Sequence, residues 1–452
     1  MQEKVNPRIL PGFMELLPAD QILFNDMYDK IRSVYESFGF LPLDTPIIEL
    51  SEVLLAKAGG ETEKQIYRFN KGDNDLSLRF DLTVPLARYV AAHYNDLVFP
   101  FKRYQMSKVF RGERPQKGRF REFYQCDIDI IGNDELSILY DAEMPAVIYH
   151  VFKKLGIGDF TIRLNNRKVL GGFFASLGLS DKIEEILRTI DKIEKIGKEK
   201  VISELITIGV PEDKTESIID FITIGGDRKE TVARLRALGV ENEVFHTGVD
   251  ELEVVTDTMI LFGMPEENFR IDLSIARGLD YYTGTVYETT INGHPEFGSV
   301  CSGGRYDNLT GYYTDKKLPG IGISIGLTRL FYVLDEQGLL NPATHSASAD
   351  ALVIPMSPEP TAAIALAEKL RAAGVRVQLY GEQKKFKQKM SYADKLGVPY
   401  AILLGEDEIN AGKCSVKDLR TGVQVTVTAE EAAELILADK LAAENAPVIL
   451  EK

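Results

Sequence analysis

The residue types best suited to chemistry concentrate between Phe110 and Asp129. Pro115 to Gly118 is a turn signal, and it divides two runs that alternate with the two-residue period of antiparallel strands. In the second run Arg119, Arg121, Phe123, Gln125, Asp127 and Asp129 fall on one side, and Phe120, Tyr124, Cys126 and Ile128 on the other. Arg103, Gln105, Ser107 and Arg111 share a face of the first run, so pairing the two would gather guanidiniums beside carboxylates. A solvated hairpin laced with Arg–Asp pairs is one account of such a pattern. The mixture of types supports another. Arg suits bidentate phosphate binding, Gln and Asp accept from ammonium or imidazole groups, and Phe123 offers a planar platform. Together they fit a ligand that is nucleotide at one end and cationic at the other.

Further residues with chemical potential lie in five other stretches. Asp81 and Thr83 stand where a strand from Ser77 turns into a helix near Pro85, a place for ligand contacts or, for Thr83, for a helix cap. Ile271 to Glu288 holds Arg277, Tyr281 and Tyr282, and Phe297 to Asp307 holds Arg305 and Tyr306 among glycines that allow close backbone approach to a ligand. Pro319 to Phe331 is a Gly-punctuated strand feeding a helix with Leu327, Leu330, Phe331 and Leu334 on its buried stripe. Arg329 lies off that stripe near the helix start, where an anion is favoured. Between Gln383 and Lys395, five lysines, including Lys384, Lys385 and Lys387, accompany Phe386 and Tyr392. A solvated helix face explains such a run, and so does a surface for an unpaired RNA loop.

The elements that must hold these residues can be read from periodicity. A helix is predicted from about Asp20 to Phe38, with Ile22, Leu23, Met27, Ile31, Val34 and Tyr35 on one stripe. Phe40 to Leu50 reads as extended, and Pro42 and Pro46 restrict it to an edge or an interface. Glu135 to Leu155 reads as an amphipathic helix, and Phe160 onward as a strand. Charged helices then fill about Arg167 to Phe269; their centre, 180–255, is expected to be a helical insertion in a larger domain, or else a helical part of the same core. After a small-residue linker at 336–348, strands and helices alternate, which indicates a separate α/β domain at 349–452.

At 452 residues and 44% hydrophobic content the chain fits a globular protein of about two to four domains. No apolar run reaches the roughly 18 residues needed to span a bilayer, and Met1 to Pro7 lacks a basic stretch followed by an apolar one, so a cytoplasmic protein is expected. Cys126, Cys301 and Cys414 are far apart and without metal-ligand spacing, which argues for reduced thiols. A net charge of −15 disfavours general nucleic-acid binding. An RNA partner would meet local basic patches, with salt-sensitive affinity.

The string from Phe110 to Asp129 resembles motif 2 of the class II aminoacyl-tRNA synthetases, closely that of histidyl-tRNA synthetases. Phe40 to Leu50 is similar to their motif 1, with Pro46 at its proline, and Pro319 to Phe331 to motif 3. The strings 271–288 and 297–307 look like the two motifs peculiar to histidyl-tRNA synthetases, and 349–452 resembles their anticodon-binding domain. The resemblance implies an α+β catalytic domain at 1–335 with a mixed, mainly antiparallel sheet, a homodimer through motif 1, and two-step ligation of L-histidine to tRNA(His) with ATP and Mg²⁺. It assigns the α-phosphate to Arg111 and Arg277, the outer phosphates to Arg119, adenine stacking to Phe123 and Arg329, and the adenine amine or Mg²⁺ to Glu113. Histidine would be held by Asp81, Thr83, Gln125, Asp129, Tyr281, Tyr282 and Tyr306, and tRNA by Lys384, Lys385 and Lys387. One rival is the histidine-sensing regulatory subunit of ATP phosphoribosyltransferase, which usually lacks the C-terminal domain and several motif arginines. Another is a tRNA-sensing module attached to a kinase; the sequence carries no kinase segment.

Overall fold

The alternating runs pair as the sequence predicts: in this computed structural model Phe101–Phe110 and Glu122–Ile131 form the antiparallel hairpin at the heart of the larger sheet. The structure describes residues 4–56, 61–114, 117–275, 282–341, 347–444 and 447–449. Contacts divide the chain into two compact units, residues 1–14 with 30–337 and residues 15–29 with 338–452.

In chain order, the strands of the first unit are β1 (Leu41–Pro42), β2 (Ile48–Leu50), β3 (Arg68–Lys71), β4 (Asn74–Leu78), β5 (Phe101–Phe110), β6 (Glu122–Ile131), β7 (Phe160–Asn166), β8 (Phe269–Ile271), β9 (Tyr282–Ile291), β10 (Cys301–Tyr306) and β11 (Gly320–Gly326). Among the described residues, eight of them make one mixed sheet in the order β1-β5-β6-β11-β10-β9-β7-β8, and β2-β4-β3 make a small second sheet. The inner pairings of the large sheet are antiparallel, and the parallel ones are at its edges, β1 with β5 and β7 with β8. The Pro-bearing segment thus takes edge positions, as the missing N–H of Pro42 requires.

One face of this sheet is apolar and covered. Cys126, Ile128 and Ile130 are fully buried there, and the Tyr35 hydroxyl of helix Pro18–Ser37 donates to the Cys126 carbonyl at 3.0 Å. Helix Leu139–Leu155 is tied on by ions: Asp141 takes a bidentate grip from Arg305 and a 2.7 Å hydrogen bond from Thr285. That helix begins at Leu139 rather than Glu135, because Asp134 has a positive φ of 64° and Asn133 and Glu135 form an isolated bridge. Helices Arg167–Ser176 and Glu243–Leu261 cross closely, since a Cβ on Gly172 would meet the Phe245 nitrogen at 2.5 Å and one on Gly248 the Val169 nitrogen at 2.7 Å.

The second unit carries β12 (Ala351–Pro355), β13 (Val377–Leu379), β14 (Tyr400–Leu404), β15 (Cys414–Asp418) and β16 (Gln424–Val427), ordered β13-β12-β14-β15-β16. The first three are parallel with helical crossovers, and β14, β15 and β16 are antiparallel, so the α/β pattern ends in the expected hairpin and final helix, Ala429–Glu444. No described helix is long and apolar enough to cross a membrane. All three cysteines are free and buried.

Candidate active site

The other face of the large sheet is polar because register stacks its polar side chains into rows. Arg103, Gln105 and Ser107 on β5 lie opposite Asp129, Asp127 and Gln125 on β6. Asp127 then pairs with Ser324 on β11, Ser324 with Ser302 on β10, and Ser302 with Glu288 on β9. Above this floor open two cavities.

The first, of about 330 Å³, is lined by Arg111, Glu113, Arg119, Phe123 and Arg329, the five described residues that the sequence assigns to a nucleotide. The Arg111 guanidinium is 4.4 Å from the Phe80 ring centroid and 5.1 Å from that of Phe123, and its Nε donates to the Phe80 carbonyl at 3.2 Å. Glu113 faces Arg119 at 3.7 Å. Arg329 sits in the first turn of helix Leu327–Glu336 with Nη2 on the Phe297 carbonyl, while Leu327, Leu330, Phe331 and Leu334 are buried as their spacing predicts.

The second cavity, of about 450 Å³, is lined by Asp81, Thr83, Gln125, Asp129, Tyr282 and Tyr306. Asp81 caps helix Thr83–Ala92, its Oδ1 accepting from the Val84 N–H at 3.0 Å; the capping role thus falls to Asp81 and not to Thr83. Asp129 accepts from the Tyr306 hydroxyl at 2.7 Å and bridges Arg103 at 2.6 Å. Three buried carboxylates, Asp81, Asp127 and Asp129, thus lie near the buried Arg103 guanidinium. Burial is the main cause that raises all three pKa values, Asp127 to about 7 and Asp129 to about 6, against the pull of Arg103. A cationic ligand would relieve that cost. Arg111, Glu113, Gln125, Glu288, Ser302 and Ser324 line both cavities, so the two open onto each other.

Arg277 and Tyr281 lie outside the described residues. Among the glycines between Phe297 and Asp307, two are required by the sheet: a Cβ on Gly303, which also lines the second cavity, would be 2.1 Å from the Gly322 carbonyl oxygen, and one on Gly304 2.7 Å from that of Thr285. Arg305, in the same string, is committed to Asp141 away from the cavities. Sequence reasoning missed Glu288, Ser302 and Ser324 as lining residues. Their signal is alternation within their own strands, which places them on the polar face once the strand order is known.

In the second unit Lys384, Lys385 and Lys387 are exposed, beside Phe386 at 45% and Tyr392 at 39% exposure. Lys389 departs from the sequence reading of five solvated lysines: it is buried, and its Nζ donates to the Pro355 carbonyl at 2.6 Å.

A family model described as histidyl-tRNA synthetase matches residues 12–330, and one described as an anticodon binding domain matches residues 350–439. The histidine–tRNA ligase of Clostridium tetani is 60% identical over 432 residues, which is 96% of this chain and 98% of that relative. The crystal structure of histidyl-tRNA synthetase from Nostoc sp. PCC 7120 matches with a TM-score of 0.89 at 46% identity, covering 96% of this chain and 100% of that one. At 22% identity and a TM-score of 0.73, an ATP phosphoribosyltransferase regulatory subunit/histidyl-tRNA synthetase from Bacillus halodurans shares the fold.

Proposed function

The chain belongs to the histidyl-tRNA synthetase family and is an ATP-dependent aminoacyl-tRNA ligase; on that premise we propose that its two cavities are the nucleotide and amino-acid halves of one active site. The observation that carries this reading is that Arg111 lines both. In the first step an L-histidine carboxylate oxygen attacks the α-phosphorus of ATP, the bond to the bridging oxygen breaks, and pyrophosphate leaves. In the second, the 3′-terminal hydroxyl of tRNA(His) attacks the carbonyl carbon of histidyl-adenylate and AMP leaves.

Two anions must meet in the first step, so fixed positive charge around the α-phosphate is the main requirement. Arg111 answers it from the junction, and Arg277 is assigned the opposite side by its place in the family motif. Arg119 takes the outer phosphates, and Phe123 and Arg329 hold adenine between a ring and a guanidinium. Asp81, Thr83 and Gln125 take the ammonium, and Asp129, Tyr281, Tyr282 and Tyr306 the imidazole. Holding both reactants in line supplies the rest.

Among the described residues no group of three or more His, Cys, Asp or Glu side chains could hold a metal ion. Mg²⁺ would be held by the nucleotide's own phosphates and by Glu113, where it would neutralise phosphate charge.

We assign 1–335 to the catalytic domain, with 180–255 as its helical insertion, 336–348 to a linker, and 349–452 to tRNA anticodon binding through Lys384, Lys385 and Lys387. Leu41, Ile48 and Leu50, exposed at 58%, 48% and 44% on edge strands, fit a homodimer interface through the motif 1 segment. A cytoplasmic location follows from the role in translation. The test is exchange of labelled pyrophosphate into ATP. Histidine alone among the amino acids should support it; exchange without amino acid, or equal exchange with several, would overturn the reading.

A further inference from the structure

Strand β9 reaches the second cavity through a bulge. From Thr289 to Val286 it pairs with Cys301 to Gly304 of β10 in one unbroken register, which, if continued, would set Tyr306 against Gly284. Tyr306 instead faces Tyr282, because β9 has Thr283, Gly284 and Thr285 where β10 has Arg305 alone. Two additional residues preserve the two-residue alternation, so Tyr282 stays on the cavity face with Glu288 and comes level with Tyr306. Residues in a bulge leave the ladder and need other partners. Thr285 Oγ1 donates to the Asp141 carboxylate at 2.7 Å. Arg305, whose Nε donates to the same carboxylate at 3.1 Å, fills the space over Gly284, where a Cβ would be 2.9 Å from the Arg305 Cδ. Thr283 Oγ1 donates to Asp307 Oδ2 at 2.5 Å. Thr285, Arg305 and Asp141 are buried, whereas Thr283 and Asp307 are half-buried.

We infer that Asp307 is a positioning residue for amino-acid recognition: through Thr283 it closes the β9 bulge and holds Tyr282 level with Tyr306, on the reading of the second cavity as the amino-acid half of the site. Thr283 follows Tyr282 in the chain and Asp307 follows Tyr306, so a single hydrogen bond joins the backbones that carry the two tyrosines. Tyr306 has its own anchor, since its hydroxyl donates to Asp129 at 2.7 Å. Tyr282 stands at the far side of the bulge, and its height in the cavity follows the path of the three residues behind it. Its ring leans over β10, where a Cβ on Gly304 would be 3.0 Å from Tyr282 Cδ1. A carboxylate suits the closing position because it only accepts, so the Thr283 proton has one direction to point, and an ionised acceptor strengthens the bond. Asp141 and Arg305 hold the buried end of the same bulge and tie it to helix Leu139–Leu155.

The experiment measures the histidine and ATP KM values by pyrophosphate exchange in wild type, Asp307→Ala, Thr283→Val, Thr283→Ser, Tyr282→Phe and the Thr283→Val/Tyr282→Phe double variant. Asp307→Ala and Thr283→Val should each raise the histidine KM about fivefold, the loss expected for one misplaced hydrogen bond, with the ATP KM changed less than about twofold because Tyr282 does not line the nucleotide cavity. Thr283→Ser, which keeps the hydroxyl, should retain the wild-type value. Tyr282→Phe should raise the histidine KM by itself, and adding Thr283→Val should then raise it no further, because the bulge acts through Tyr282. KM does not depend on how much of the enzyme is folded, so a merely structural loss would lower activity without moving it. A histidine KM unmoved by Thr283→Val and Asp307→Ala, an equal rise in the ATP KM, no rescue by serine, or a full further loss in the double variant would overturn the proposal. A wild-type histidine KM in Tyr282→Phe, or a wild-type enzyme without histidine-dependent exchange, would instead overturn the reading of the cavity.

Discussion

Asp129 shows how a carboxylate can be prepared for a polar ligand at some cost to the empty site. Its oxygens accept from Tyr306 and bridge Arg103, yet burial still lifts its pKa to about 6. The folded-state value thus lies above the ordinary carboxylate value. Its contribution to stability is present in full below about pH 4 and is lost as the pH rises through about 6. Tyr306 opposes the rise by donating to the anion, so Tyr306→Phe should push the Asp129 pKa higher. It should destabilise the ligand-free protein more at pH 8, where an ionised partner is lost, than at pH 5. The difference is about 1 to 2 kcal/mol, the gap between charged and neutral hydrogen bonds. Thermal unfolding at the two pH values checks this, and equal losses would remove Asp129 as the cause. Asp129 itself was legible in the sequence, because two-residue alternation put it on the same face as Gln125 and opposite Arg103. Ser324 and Glu288 were not. A serine or glutamate on an alternating strand looks like any solvent-facing residue until the neighbouring strand is known.

At the level of elements, helix Leu139–Leu155 contains an internal proline, Pro145, and the sheet compensates for it. Pro145 has no N–H to donate to the carbonyl of Asp141, four residues earlier. That carbonyl accepts from the Tyr287 hydroxyl of β9 at 2.5 Å, while the Asp141 carboxylate holds Arg305 of β10. The missing helical bond thus becomes an attachment point to two strands. Tyr287→Phe should cost about 1 to 3 kcal/mol by leaving a buried carbonyl unsatisfied. Adding Pro145→Ala, which returns the N–H, should recover part of that loss. Urea unfolding of the two single variants and the double one measures the coupling, and simple additivity would separate the two features. The helix was legible in the sequence from its apolar spacing, but the use of its proline depends on strand residues 146 and 164 positions away from Asp141 in the chain. The glycines were legible as close approaches, and two of them, Gly303 and Gly304, also admit neighbouring strands.

Across the whole molecule, a net charge of −15 coexists with a local cluster of cations, and this sets how tRNA can be held. The change of period after residue 348 made the second domain legible, and the lysine run stood out by composition alone. What composition could not show is that Lys389 is turned inward, so the exposed cations of the segment between Gly381 and Gln388 are Lys384, Lys385 and Lys387 around the exposed ring of Phe386. Three phosphate contacts to single-stranded RNA correspond to a change of about 2 in the slope of log affinity against log salt. Replacing all three lysines by glutamine should therefore weaken tRNA binding at low salt, flatten its salt dependence by about that amount, and raise the tRNA KM of aminoacylation. Pyrophosphate exchange should stay at the wild-type level, because every residue assigned to adenylate formation lies between Asp81 and Arg329. Unchanged affinity and slope in filter binding would move the RNA contact off this segment, whereas a loss of exchange would mean that the domain bearing it also acts on the activation step.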